Sequence, residues 1–305
     1  MATRLIALGI GLLVAAGCTD RSPDEIAWRA FDGRRALAHV EKLVNYGPRP
    51  SGSHAVIRSA TYIAAQLQEL GYETEEQVFM AQTPRGPMQF RNVIGTTRLQ
   101  RAQEPILIVA SHYDTKNLTN TAFVGANDGG SSTGLLLELA RVASGQANIW
   151  FVFFDGEEAQ VEYGENDGLH GSKYFVEDLK GKELVPRVKA LILLDMVGDA
   201  QLNVSLPSNS HPVLTQKLFD AARDTGYRDY FALYQRPILD DHVPFQQAGI
   251  PALDIIDFEY GSAPGLNDYW HTGADTLDKL SPRSLEIVGQ TTLRLLELLN
   301  KTPNL

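Results

Sequence analysis

The most constraining stretch of this 305-residue chain is IWFVFFDGEEA, residues 149 to 159. Ile149 to Phe154 are all aromatic or β-branched, with no polar residue to turn towards water. Such a run reads as a strand covered on both faces, which requires helices on both sides of a sheet. The run then delivers Asp155, Glu157 and Glu158 to the edge of that dry core. Crowded carboxylates repel one another and are costly to desolvate. Whatever holds them must carry positive charge or donate hydrogen bonds.

The rest of the chain supplies the covering helices. An amphipathic helix over AWRAFDGRRALAHVEKLVNYG ends at Gly47, and GPRPSGS is a turn cluster. Ser53 starts a second helix that runs through Leu70 to a stop at Gly71. Strands are expected at 73–80, 90–97, 105–111, 149–154, 189–195 and 252–256. Helices are expected at 132–143, 172–180, 212–225 and 282–300. Alternating strands and helices give an α/β sandwich over a largely parallel sheet. Ligands in such sheets gather at the carboxyl ends of the strands.

The polar residues fall at those ends. ILIVASHYDT closes a strand with His112 and Asp114, and VGANDGG places Asp128 just before a helix. Glu157 and Glu158 follow the next strand, Asp195 and Asp199 follow LILL, LDDHVPF supplies Asp240, Asp241 and His242, and YWHTGADT supplies His271. Any one of these is equally a cap, turn or core residue. Asp114 could orient His112 rather than bind a metal, and Asp199 could be a solvated loop residue. Jointly they describe a divalent-cation site. The single cysteine, Cys18, rules out thiolate ligation in the mature domain, so zinc held by His and carboxylates is the first expectation. His39, His54, His170 and His211 lack such neighbours and read as structural. GSSTG at 130–134 matches a serine nucleophile elbow at Ser132, but the residues before it read as a loop, not the strand an elbow needs.

Residues 5 to 16, LIALGIGLLVAA, form an apolar run behind Arg4 that is too short to span a bilayer. It ends in AAGC at Cys18. This reads as a signal peptide over 1–18 with a lipobox-like end, the alternative being an ordinary secretory signal. A linker over 19–25 and one catalytic domain over 26–305 follow. The expected location is exported, periplasmic or cell-envelope, with a lipid anchor at Cys18 as the only membrane attachment. Thr19 in place of aspartate weakly favours the outer membrane. A net charge of −10 argues against nucleic acid as a partner, and a monomer is expected.

SHYDT, GANDGGSSTGLLLELAR, FFDGEEA with GLHGSKYF, LLDMVGD, DDHVPF with GIPALDI, and YWHT together resemble the zinc exopeptidase family, which includes aminopeptidases and the animal-type glutaminyl cyclases. The resemblance runs from about Tyr46 to the C-terminus. It implies a three-layer α/β/α sandwich with a mixed, mainly parallel sheet. It also implies ligands at the positions of His112, Asp128, Glu158, Asp195 and His271, with Glu157 as general base. The aminopeptidases bind two zinc ions bridged by the residue matching Asp128, the second ion lying on those matching His112 and Asp195. The cyclases keep the same positions but typically bind one zinc, through those matching Asp128, Glu158 and His271.

The doubled aspartate Asp240-Asp241, Trp270 before His271, and Lys116 after HYDT are similar to the cyclases. Tyr163 and Leu239 depart from the animal pattern, and 257–269 is longer than the animal loop, as in bacterial members. The resemblance therefore implies a glutaminyl-peptide cyclotransferase acting on peptide or protein N-termini. Glu157, Asp240 and Asp195 would be catalytic, and Trp270, Tyr163 and Lys116 would contact substrate. The alternatives are a two-zinc aminopeptidase and, further off, an inactive lipid-anchored binding module or a serine hydrolase.

Overall fold

The computed structural model describes residues 26–302, apart from 98–103, 119 and 147. The proposed signal segment, Cys18 and the linker lie outside the described residues.

The main sheet has six strands. β1 (Glu73–Thr83) and β2 (Gly86–Thr96) form an antiparallel hairpin, and β2 pairs antiparallel with β4 (Ile149–Phe154). β4, β3 (Ile106–His112), β5 (Val188–Asp195) and β8 (Ala252–Ile256) then run parallel, in that spatial order. A small parallel pair, β6 (Val204–Leu206) and β7 (Phe231–Leu233), stands apart.

Alternation along the strands builds two cores. Leu107, Val109, Phe151, Phe153, Ile192 and Leu194 face one way, towards α1 (Gly33–Val44), α2 (His54–Glu69), α3 (Gly130–Val142), α5 (Pro212–Thr225) and α7 (Pro282–Asn300). Ile108, Ala110, Val152, Phe154, Leu191 and Leu193 face the other way, onto α4 (His170–Gly181) and α6 (His242–Gln247). The three-layer sandwich and mixed, mainly parallel sheet therefore stand as expected. The connection from β3 to β4 runs through α3 on one face, and that from β4 to β5 through α4 on the other. Chain direction thus diverges around β3, the position where α/β sheets open a crevice beyond their carboxyl ends.

The first helix differs from its sequence expectation. Trp28–Ala30 form a 3₁₀ turn and α1 begins only at Gly33. Asp32 caps it by accepting from the N–H groups of Arg34 and Arg35, while Phe31 stays extended and packs on Gly289, where a Cβ would lie 2.3 Å from the ring. The β1–β2 hairpin is also longer than expected, because much of β1 is exposed and lacks an apolar signature.

Within α1, His39 Nδ1 lies 2.6 Å from the Tyr62 hydroxyl. Burial, with help from Arg35, lowers the His39 pKa to about 4. In the unfolded chain it would protonate near its usual value. Between about pH 6.5 and 4 the unfolded state therefore takes up a proton that the folded state refuses, and stability is lost as pH falls through that window. His39→Gln should remove this loss. Urea titrations at pH 7 and 4.5 should show the variant gaining about 2 kcal/mol relative to the parent at the lower pH.

Candidate active site

Parallel pairing sets the site. His112 at the end of β3 lies in register with Phe154 of β4, and Asp195 at the end of β5 lies in register with Ile256 of β8. The loops leaving these strands converge on one edge.

The three carboxylates after β4 do not share a fate. Asp155 turns away from the others: its Oδ1 accepts from the Ser51 hydroxyl at 2.7 Å and its Oδ2 from the Arg91 N–H at 2.9 Å. Burial, reinforced by Asp114, raises its pKa to about 8. Gly156 has φ 79° and packs so closely on Phe90 that a Cβ would lie 2.5 Å from the ring. That turn swings Glu157 and Glu158 inward, where their backbone N–H groups both donate to Asp114, each at 3.3 Å. Asp114 Oδ1 also stands 3.5 Å from His112 Nδ1. Asp114 thus orients one histidine and two glutamates.

Two triads share Asp128. In one, His271 Nε2 lies 3.1 Å from Glu158 Oε1 and 3.3 Å from Asp128 Oδ2. In the other, His112 Nε2 lies 3.2 Å from Asp195 Oδ1 and 3.3 Å from Asp128 Oδ1. In each triad the donor atoms lie within 4.8 Å of one another. Burial lowers the proton affinity of His271, but hydrogen bonds to Asp128 and Glu158 outweigh it and raise its pKa to about 10. Burial opposes ionisation of Asp128, yet His112 and His271 hold its carboxyl well below the usual range. Three carboxylates and two imidazoles packed this closely call for a cation. The contacts of Asp128 with both histidines are long, at 3.3 Å each, consistent with ligand atoms spaced around an ion rather than bonded tightly to one another. The residues fit a divalent metal of the zinc type.

A pocket of about 270 Å³ opens onto the triads, with Asp128, Glu157, Asp195, Asp240, Trp270 and His271 in its lining. The Trp270 and His271 rings stack at 3.9 Å, and His271 holds a left-handed φ of 55°. A non-glycine residue in that region marks strain kept by its surroundings. Tyr163 also lines the pocket, its hydroxyl donating to Glu157 Oε2 at 3.0 Å and lying 3.3 Å from Glu158 Oε2. Burial raises the Glu157 pKa well above the ordinary range; His112 opposes this, while Asp240, Glu158 and Asp241 reinforce it.

Other expected residues have different placements. The Lys116 ammonium sits 3.7 Å from Glu158 Oε2 and 5.0 Å from the Tyr163 ring centroid, behind the carboxylate rather than in the pocket lining. Asp241 turns to the Ser172 hydroxyl. Asp199 accepts from the Gln201 N–H, and buried His242 accepts from Asn209. His39, His54, His170 and His211 lie outside the metal-competent groups found among the described residues. Ser132 is fully buried within α3 and does not line the pocket, so no elbow forms.

Two residues that sequence reasoning missed hold this edge together. Asp275 accepts from the N–H groups of Asn127 and Asp128 at 2.7 and 3.1 Å, and from the Tyr260 hydroxyl at 2.8 Å. Arg49, inside GPRPSGS, is fully buried and donates to the carbonyls of Tyr113, Val124 and Gly125 at 3.1, 2.6 and 3.0 Å. Arg49→Met should destabilise the fold by about 3–5 kcal/mol, because it strips two buried carbonyls and one part-buried carbonyl of their donor and removes a cation facing Asp275, Asp114 and Asp128. Denaturant unfolding at neutral pH checks this.

The family model of peptidase family M28 matches residues 92–296. A glutaminyl-peptide cyclotransferase of Gloydius blomhoffii is 28% identical over 283 residues, covering 80% of this chain and 74% of its own. The crystal structure of an Acidobacteriales bacterium glutaminyl cyclase superposes with a TM-score of 0.82 at 35% identity, covering 89% of this chain and 95% of its own. That of a leucine aminopeptidase precursor from Bacteroides thetaiotaomicron gives 0.79 at 27% identity, covering 90% and 99%. The sandwich, the shared-aspartate triads and the match across most of the sequence agree: this chain belongs to peptidase family M28.

Proposed function

We propose that the protein is a zinc-dependent glutaminyl-peptide cyclotransferase that converts N-terminal glutamine of peptides or proteins to pyroglutamate, releasing ammonia. The observation that carries this reading is the pocket wall. Trp270 stacks on His271 and shares with Asp240 and Glu157 the wall of a pocket of about 270 Å³, room enough for a glutamine side chain and its α-amine. An indole face suits a five-membered lactam. The similarity to solved glutaminyl cyclases supports the same reading.

Asp128, Glu158 and His271 would hold the zinc, which when bound would polarise the glutamine side-chain carbonyl as a Lewis acid. The pocket holds the substrate's α-amine against its own side-chain amide, so proximity supplies much of the acceleration. Glu157 takes a proton from the α-amine as the nitrogen–carbon bond forms. It returns that proton to the side-chain nitrogen as the carbon–nitrogen bond breaks and ammonia departs. Tyr163 fixes one oxygen of Glu157, and Asp240 and Asp241 raise its proton affinity. Asp195 completes the acidic wall on the far side of His112.

The second triad favours one other reading, a two-zinc aminopeptidase with His112, Asp195 and bridging Asp128 on the additional ion. Paired assays separate the two. The proposed cyclase releases ammonia from a glutaminyl arylamide and leaves a leucyl arylamide intact; arylamine release from the leucyl substrate would reverse the assignment. We further propose one catalytic domain over 26–305, acting as a monomer in the periplasm or cell envelope and tethered through acylated Cys18 after cleavage of the signal segment just before that cysteine. Among the described residues, no helix is long and apolar enough to cross a membrane.

A further inference from the structure

Resting on the cyclotransferase reading, we propose that Arg236 is a specificity residue that receives an acidic side chain on the residue following the reacting glutamine, so that the substrates include peptides beginning Gln-Glu or Gln-Asp.

The pocket is lined by Asp128, Glu157, Asp195 and Asp240, and its only lysine or arginine is Arg236. A substrate carboxylate approaching this wall, on a chain of net charge −10, meets repulsion unless a cation stands at the entrance. Arg236 is exposed on the solvent side of the pocket. Its guanidinium has no hydrogen bond or ion pair with any described residue, whereas Arg35, Arg91, Arg141, Arg223, Arg283 and Arg294 are each paired with carboxylates. In a chain with 37 acidic and 27 basic residues, an uncommitted arginine at the mouth of an acidic pocket is a free anion receptor.

Its backbone is held in place. Ser208 N–H donates to the Arg236 carbonyl at 3.1 Å, and Tyr234 N–H donates to the Leu206 carbonyl at 2.7 Å. Two residues further on, Ile238 N–H donates to Asn209 Oδ1 at 3.1 Å while Asn209 Nδ2 donates back to the Ile238 carbonyl at 2.9 Å. The segment is clamped on both sides, so only the side chain must order on binding. Pro237 and Leu239 flank it, and Leu239 is 53% exposed, so the approach combines an apolar rim with one cation. With the reacting glutamine against the buried Asp128, Glu157 and Asp240, the following residue falls towards exposed Arg236, Pro237 and Leu239.

The test uses the zinc-loaded protein and peptides beginning Gln-Glu, Gln-Ala and Gln-Lys, each made with an amidated and with a free C-terminus, with ammonia release as the readout. In R236Q the ratio of kcat/KM for Gln-Glu over Gln-Lys should fall about two- to fivefold, as expected for an exposed ion pair. It should fall further in R236E, through KM rather than kcat, and the effect should shrink in high salt. An unchanged ratio in both variants, with cyclisation intact, overturns the proposal alone. A response confined to peptides with a free C-terminal carboxylate overturns the side-chain assignment. No ammonia from any peptide removes the cyclotransferase reading and this proposal with it.

Discussion

Glu157→Gln should lower kcat by about 10²–10⁴-fold, the range for loss of a general base, while zinc content stays at the wild-type value. The amide is isosteric and leaves the backbone N–H of residue 157 on Asp114. It still accepts from the Tyr163 hydroxyl, so the local fold has no reason to change. What it lacks is the capacity to take a proton from the amine and return it to the leaving nitrogen. Glu157 is in none of the metal-competent groups found among the described residues, and this separates its role from that of its neighbour Glu158. Steady-state kinetics alongside metal analysis of the same preparation checks both halves. Near-normal turnover would remove Glu157 as the base.

The metal site gives the second large effect. Asp128 belongs to both triads, so Asp128→Asn should strip the protein of zinc after exhaustive dialysis and abolish activity. His112→Ala touches only the second triad and should leave one zinc per chain on Asp128, Glu158 and His271. Thermal unfolding gives an independent reading, because a ligand that binds only the folded state raises its stability. Added zinc should raise the midpoint of the wild type and of His112→Ala, and leave Asp128→Asn where it was. If His112→Ala instead lost half of two bound ions, the aminopeptidase arrangement would be the better account.

Much of this was legible in the sequence, for local reasons. Ile149–Phe154 announces a strand covered on both faces, and polar residues directly after such strands fall at one sheet edge because parallel pairing puts them there. The strand ends thus gather His112, Asp128, Glu158, Asp195 and His271 among a wider group of acidic and imidazole side chains, and only the family resemblance singles those five out as ligands. The supports beneath them do not. Asp275 holds the turn before Asp128 across 148 residues, and Arg49 reaches carbonyls more than 60 residues away. No local period or spacing encodes such contacts, so Arg49 reads only as part of a turn. The turning of Asp155 away from Glu157 likewise depends on Ser51 and Arg91, on separate segments. The small β6–β7 pair and the far end of the hairpin escape detection because three-residue strands and exposed edges lack a hydrophobic alternation.

Mass spectrometry of a glutamine-initiated peptide incubated with the zinc-loaded protein tests the central claim most directly. The account predicts a product lighter by one ammonia, with every residue retained and no such product from Glu157→Gln. Loss of the entire first residue would contradict it, as would a peptide that stays unchanged beyond the rate of a protein-free control.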